Sequence, residues 1–116
     1  MPTLQKLQEA EAKAKAKKLK AVPLERAVEK PVKDYARSRG FYVRKFKSAN
    51  NRSVPDGIFA TPFGVVFFIE FKRPGKRATP AQADEHAFMR QRKLTVYVVD
   101  NVTDGKKIID TYASQE

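Results

Sequence analysis

Three charged residues interrupt an otherwise apolar stretch of the sequence, VPDGIFATPFGVVFFIEFKRPG at 54–75. Asp56 follows a proline, and Glu70 and Lys72 lie at the end of the most apolar run. Because side chains alternate along a strand, Glu70 and Lys72 point to the same face. Two carboxylates held close together repel each other unless a positive charge lies beside them. Mg²⁺ can supply that charge, because it prefers oxygen ligands. With a lysine to orient or deprotonate water and to stabilise charge on phosphorus, this set suits phosphodiester hydrolysis.

A hairpin would bring Asp56 to the other two charges. TPFG at 61–64 predicts a tight turn between strands at 58–61 and 65–72. Antiparallel pairing then places the start of the first strand beside the end of the second. The backbone carbonyl of Phe71 is a candidate third protein ligand. For Glu70 and Lys72 alone a salt bridge at a sheet edge is the simpler explanation, and Asp56 at hairpin spacing is what favours a metal site.

The sequence patterns predict helices and strands in the order α-α-β-β-β-α-β. This order indicates an α/β fold, with a mixed sheet flanked by helices that positions the three charged residues. Strand 65–72 is apolar on both faces and should be central. Gly40 suits the end of one helix, and Thr79 followed by Pro80 suits the start of another. Pro31 predicts a kink or a fresh helix start. The predicted segments are helix 24–39, strand 41–47, loop 48–57, strands 58–61 and 65–72, helix 81–93, strand 94–99, loop 100–105 and a final element at 106–113, helix or strand.

Composition limits the classes of protein and partner. The chain has 116 residues and is 41% hydrophobic, which fits one small domain, assigned to 23–116. Its 24 basic and 13 acidic residues give a net charge of +11, which favours a polyanion, with nucleic acid as the leading candidate. The absence of cysteine excludes disulfides and thiolate metal sites. No apolar run approaches a membrane span, and the expected location is the cytoplasm of a bacterial or phage-infected cell.

The first 22 residues are set apart by their composition. They are rich in alanine and lysine, with six lysines and two glutamates, and they favour helix. Too few leucines are present for a wide apolar stripe. We expect residues 1–22 to be a basic helix or arm that is solvated, contacts DNA or packs on a second subunit.

The motifs resemble those of the PD-(D/E)xK nuclease superfamily, and within it the chain is similar to a stand-alone VRR-NUC domain of the phage and bacterial type. VPDG at 54–57 and IEFK at 69–72 carry the match to the superfamily. The closer match rests on a helix bearing Glu29 and ending at Gly40, on RPG at 73–75, on TPAQ at 79–82 and on VYVVD at 96–100. The resemblance covers roughly residues 24–104. It implies a restriction-endonuclease-like core and metal-dependent cleavage of DNA.

The resemblance also implies roles for individual residues. Asp56 and Glu70 correspond to ligands of Mg²⁺ or Mn²⁺, and Lys72 to the catalytic lysine. Gln82 corresponds to a glutamine that supports the active site or contacts phosphate. Glu29 corresponds to the first-helix glutamate, which binds metal directly or through water, and Glu25, one turn earlier on the same face, is the alternative.

DNA is the expected substrate. Basic residues of the loops and of the first strand are the candidate DNA contacts: Lys45, Lys47, Arg52, Arg73, Lys76 and Arg77. Stand-alone members of the family resemble Holliday-junction resolvases, which implies a homodimer, since two symmetric cuts need two active sites related by a twofold axis. The alternatives are a flap or general nuclease on the same core and a DNA-binding module that has lost catalysis.

Overall fold

A computed structural model of the protein describes residues 24–115, and the predicted arm at 1–22 lies outside them. The described chain forms three helices and four strands. In chain order they are α1 (Leu24–Ser38), β1 (Tyr42–Lys45), β2 (Gly57–Ala60), β3 (Val66–Phe71), α2 (Pro80–Gln91), β4 (Val96–Val99) and α3 (Val102–Ala113). No helix among the described residues is both long and apolar enough to cross a bilayer.

The sheet is mixed, as the sequence predicted. Its strand order is β1-β2-β3-β4, with β1, β2 and β3 antiparallel and β4 parallel to β3. The hairpin between β2 and β3 turns at Thr61, whose buried hydroxyl accepts the amides of Phe63 and Val65. Gly64 completes the turn with φ of 85°, a left-handed conformation that glycine adopts without strain.

Strand β3 is buried on both faces, which explains its nearly continuous apolar sequence. Phe67, Ile69 and Phe71 pack into the larger core cluster with residues of α1 and with Ile109 of α3. On the other face, Phe68 packs with Met89 of α2 and with Val96. Helices therefore cover both sides of the strand that carries Glu70, and they hold its end in a fixed position.

Several elements differ from the sequence predictions in their bounds or continuity. Helix α1 continues through Pro31, so a fresh helix start there is wrong, and the kink at Pro31 stays a prediction. The segment predicted as a loop at 100–105 contains the start of α3, and the undecided final element is this helix. Asn101 caps it, because its side chain accepts the amide of Asp104 at 2.8 Å. Strands β1 and β4 are shorter than predicted.

Candidate metal centre

The hairpin places Asp56 beside the end of β3. Gly57 pairs with Ile69, so the residue before Gly57 lies across from the residue after Ile69, which is Glu70. The Asp56 carboxylate is fixed there by the amide of Phe71, which donates to Oδ2 at 2.8 Å. The amide and carbonyl of one strand residue project to the same side of the strand. The carbonyl of Phe71, the predicted backbone ligand, therefore projects towards the side on which Asp56 lies.

Glu70 is oriented by Gln82 of the following helix. Gln82 donates from Nε2 to Glu70 Oε1 at 2.8 Å, and its Oε1 accepts the amide of Thr79 at 3.0 Å. Thr79 in turn accepts the amide of Gln82, which completes a capping box at the start of α2. Gln82 thus fixes both the start of α2 and the carboxylate of Glu70.

Lys72 lies on the same face of the sheet as Glu70. Its Nζ is 3.7 Å from Glu70 Oε1, and both side chains are largely shielded, at 14% and 2% exposure. This is the ion pair that a bare Glu-x-Lys pattern would produce. The site differs from a plain salt bridge because a second and a third carboxylate lie at the same point.

Glu25 of α1 supplies the third carboxylate. Ligand atoms of Glu25, Asp56 and Glu70 all lie within 4.8 Å of one another. Glu29, the preferred residue from the sequence, is outside this group, and Lys33 holds it by an ion pair of 2.6 Å. The structure therefore groups the alternative residue with the other two carboxylates, and a metal-binding role for Glu29 stays a prediction.

Crowding and burial raise the pKa of all three carboxyl groups. The pKa of Glu70 rises to about 7, first because the group is desolvated and then because of the Asp56 charge, while Lys72 opposes the change. Desolvation also raises the pKa of Asp56, although the amide of Phe71 opposes it. For Glu25 desolvation raises the pKa, and Asp56 adds to the effect. The arrangement of three carboxylates is thus electrostatically costly without added positive charge.

The donor set fits a hard divalent cation. Glu70 Oε2 is buried and has no hydrogen-bond partner among the described residues, so this oxygen lacks the partner that a buried polar atom normally has. A cation bonded to oxygens of Glu25, Asp56 and Glu70 would satisfy it and would remove the repulsion among the three groups. Oxygen ligands without nitrogen or sulfur are the set that Mg²⁺ and Mn²⁺ favour.

The predicted DNA contacts line two clefts, and each cleft includes a carboxylate of this centre. The first is lined by Glu25, Lys72, Thr79 and three basic residues of the 72–79 loop: Arg73, Lys76 and Arg77. That loop is anchored because the amide of Gly75 donates to Asp100 at 3.1 Å. The second cleft contains Asp56 together with the other three predicted contacts: Lys45, Lys47 and Arg52.

A third cleft was not predicted from the sequence. It runs along α1 with a volume of about 530 Å³, shares Glu25 with the first cleft and Lys45 with the second, and is lined in addition by Arg26, Glu29, Lys30, Lys33, Asp34 and Arg37. Lys33 is the unexpected residue among these, because it is buried. Its only signal in the sequence is its position four residues after Glu29, the spacing of a helical ion pair.

Comparison with known proteins found similarity to a phage protein and to a solved structure. No protein-family model matches the sequence. The chain is 38% identical over 77 residues to "Putative nuclease p44" of Acyrthosiphon pisum secondary endosymbiont phage 1, covering 66% of this chain and 83% of the relative. A solved structure described as a VRR_NUC domain superposes with a TM-score of 0.72 at 30% identity, covering 78% of this chain and 99% of that one.

Proposed function

Because the chain belongs to the VRR-NUC domain family, we propose that it is a DNA endonuclease that depends on Mg²⁺ or Mn²⁺ and hydrolyses phosphodiester bonds. One observation carries the proposal. Oxygens of Glu25, Asp56 and Glu70 lie within 4.8 Å of one another, beside a shielded lysine, at the end of a strand held on both faces. The nuclease name of the phage relative supports the same reaction.

The reaction needs a water molecule whose oxygen bonds to phosphorus while the ester P–O bond breaks and the leaving oxygen takes a proton. A bound divalent cation would supply charge stabilisation at the phosphate and an acidified water. Glu25, Asp56, Glu70 and the Phe71 carbonyl are the proposed ligands, with Glu29 as a further ligand through water. Lys72, close to Glu70, would orient the attacking water and balance negative charge on the phosphate. Gln82 keeps Glu70 in position through its amide.

The two clefts that contain the predicted DNA contacts include different carboxylates of the centre, Glu25 in the first and Asp56 in the second. Arg73, Lys76 and Arg77 would hold phosphates on the Lys72 side, and Lys45, Lys47 and Arg52 on the Asp56 side. Lysine and arginine at these positions bind phosphate without reading base sequence. A strand lying through both clefts would bring one phosphate to the carboxylates.

Branched DNA, and in particular a four-way junction cut by a homodimer, is the substrate that we propose. A net charge of +11 per chain would double in a dimer, which suits the crowded phosphates of a junction. Two copies related by a twofold axis would place one centre on each of two strands. We place this activity in the cytoplasm of a bacterial or phage-infected cell.

Cleavage of labelled DNA tests the proposal. Four-way, flap and linear duplexes of the same sequence are incubated with Mg²⁺, with Mn²⁺ and with chelator. We expect cleavage only with metal and faster cleavage of the four-way substrate. If no DNA is cleaved under any metal condition, the proposed nuclease activity is refuted. The alternative that then remains is a DNA-binding module without catalysis. Faster cleavage of flap or linear DNA would refute the junction preference alone, as would a monomer that stays monomeric on junction DNA.

A further inference from the structure

Lys33 is a buried lysine of α1 that lies against the start of β2. Only 8% of the residue is exposed, which is rare for lysine unless it is paired. Its stem passes over Gly57: a methyl group added at Gly57 would lie 3.3 Å from Lys33 Cε. Gly57 is the residue after Asp56 and the first residue of β2. The lack of a side chain at Gly57 therefore leaves space for the Lys33 stem beside the residue that follows Asp56.

The ammonium group of Lys33 approaches from the side of the sheet opposite Lys72. It lies 5.9 Å from the centre of the Phe71 ring, and the amide of Phe71 is the group that fixes Asp56. Its charge acts on the Asp56 carboxylate and opposes the effect of Glu29 there. Its single close partner among the described residues is Glu29, at 2.6 Å. Lys33 on one face of the sheet and Lys72 on the other thus both favour the charged form of Asp56.

We propose that Lys33 is a positioning residue for the metal centre. Its charge holds Asp56 and Glu29 in place while no cation is bound, and it repels the cation as the cation enters. The inference rests on the proposed function, because it takes Asp56 as a ligand of a divalent cation. It adds a residue that neither the motifs nor the Lys72 pair contains.

The physical reason is a competition between two positive charges for the same carboxylates. Without a cation, three crowded carboxylates at one point repel one another, and Lys33 offsets the part of that repulsion that acts on Asp56. A bound divalent cation provides the same compensation more strongly, so Lys33 then contributes repulsion instead. A substitution that removes the charge of Lys33 would also release Glu29 from its ion pair. Both effects predict that removing the charge of Lys33 tightens metal binding.

Calorimetric titration of Mn²⁺ and Mg²⁺ into the full chain tests the inference. We expect Lys33→Gln, which can still donate to Glu29, and Lys33→Met, which keeps the stem, to bind Mn²⁺ about three- to tenfold more tightly than wild type. The matched control is Lys30→Met. Lys30 makes the same type of i,i+4 pair on the same helix, with Asp34, but its side chain is 69% exposed. We expect no change of metal affinity in this control.

A purely structural ion pair would lower thermal stability in the Lys33 variants and leave their metal affinity unchanged, and that result would overturn the inference. Weaker metal binding would overturn it as well. If neither variant folds, NMR of the wild type decides: Mg²⁺ should shift the side-chain signals of Lys33 and not those of Lys30. Wild-type protein that binds no Mn²⁺ refutes the proposed function itself, so the two failures are distinguishable.

Discussion

The two oxygens of Glu70 have different surroundings. Oε1 accepts from Gln82 and lies near Lys72, whereas Oε2 is buried without a partner among the described residues. The side chain is only 2% exposed, so water does little to offset its charge. A carboxylate in this position is poised to bind a cation and is costly without one.

The raised pKa of Glu70 makes stability depend on pH. Its pKa is about 7 in the folded chain and 4.5 ordinarily, so between these values the folded state holds more protons than the unfolded state. Stability of the metal-free protein should therefore fall as the pH rises from 4.5 to 7, by about 3 kcal/mol from this group. Thermal unfolding across this range, with chelator and with Mg²⁺, measures the effect.

Saturating Mg²⁺ should remove most of this loss of stability, and Glu70→Gln should flatten the metal-free profile. A metal-free wild type whose stability rises steadily over the same interval would show that Glu70 is not held as described.

The two roles of Gln82 can be separated by mutation. Thr79→Ala removes the helix cap, and Gln82→Ala removes the reciprocal half of that cap together with the bond to Glu70. We expect each variant to lose about 1 kcal/mol of stability. Only Gln82→Ala should also lose about ten- to a hundredfold in metal affinity or cleavage rate, because a ligand then loses its orienting partner. Equal cleavage by the two variants would contradict the positioning role of Gln82.

The convergence of Asp56, Glu70 and Lys72 could be predicted because alternation along a strand and a four-residue turn determine it. The choice between Glu25 and Glu29 could not. These glutamates are four residues apart on one helical face, and their spacing alone allows either to reach the site. The structure separates them, because α1 packs so that Glu25 lies with Asp56 and Glu70, whereas Glu29 pairs with Lys33 of its own helix.

At the scale of elements, the close contact between α1 and α3 depends on a glycine. Gly105 in the first turns of α3 is buried, and a methyl group added there would clash with the side chain of Val32 on α1. Val32 is itself fully buried in the main core. Helix α3 therefore supports the helix that carries Glu25, Glu29 and Lys33.

Gly105→Ala should destabilise the protein by about 1–3 kcal/mol, because the overpacked contact outweighs the better helix propensity of alanine. Urea unfolding at constant pH measures the change. Lys107→Ala, on the exposed side of the same helix, is the matched control and should stay within about 0.5 kcal/mol of wild type. A more stable Gly105→Ala protein would mean that α1 and α3 lie farther apart than described.

Most elements could be predicted from the sequence because their patterns are strong, as in the apolar β3 and the Thr79–Pro80 start of α2. The start of α3 could not, since Asp100, Asn101 and Gly105 are residues typical of loops. Their roles are specific instead. Asn101 caps the helix, and Gly105 allows the approach to Val32. Tertiary packing decides between loop and helix at this point.

For the whole molecule, the distribution of positive charge is more informative than its total. The predicted DNA contacts line two clefts that each contain one carboxylate of the centre, and the cleft along α1 shares a lining residue with each of them. A net charge of +11 explains attraction to a polyanion, but only this arrangement would direct a phosphate to the cluster of negative charge. Without a bound cation the three carboxylates would repel the phosphates of DNA, so the centre needs a cation before DNA can bind there.

The most direct test of a metal-dependent nuclease centre is the single-turnover cleavage rate of wild type and Lys72→Met, measured with Mn²⁺ at DNA concentrations that saturate both proteins. We predict cleavage by the wild type that chelator abolishes, and a rate for Lys72→Met that is lower by about a hundredfold or more while DNA stays bound. A variant that cleaves as fast as wild type, or wild-type cleavage that persists in chelator, would contradict the account.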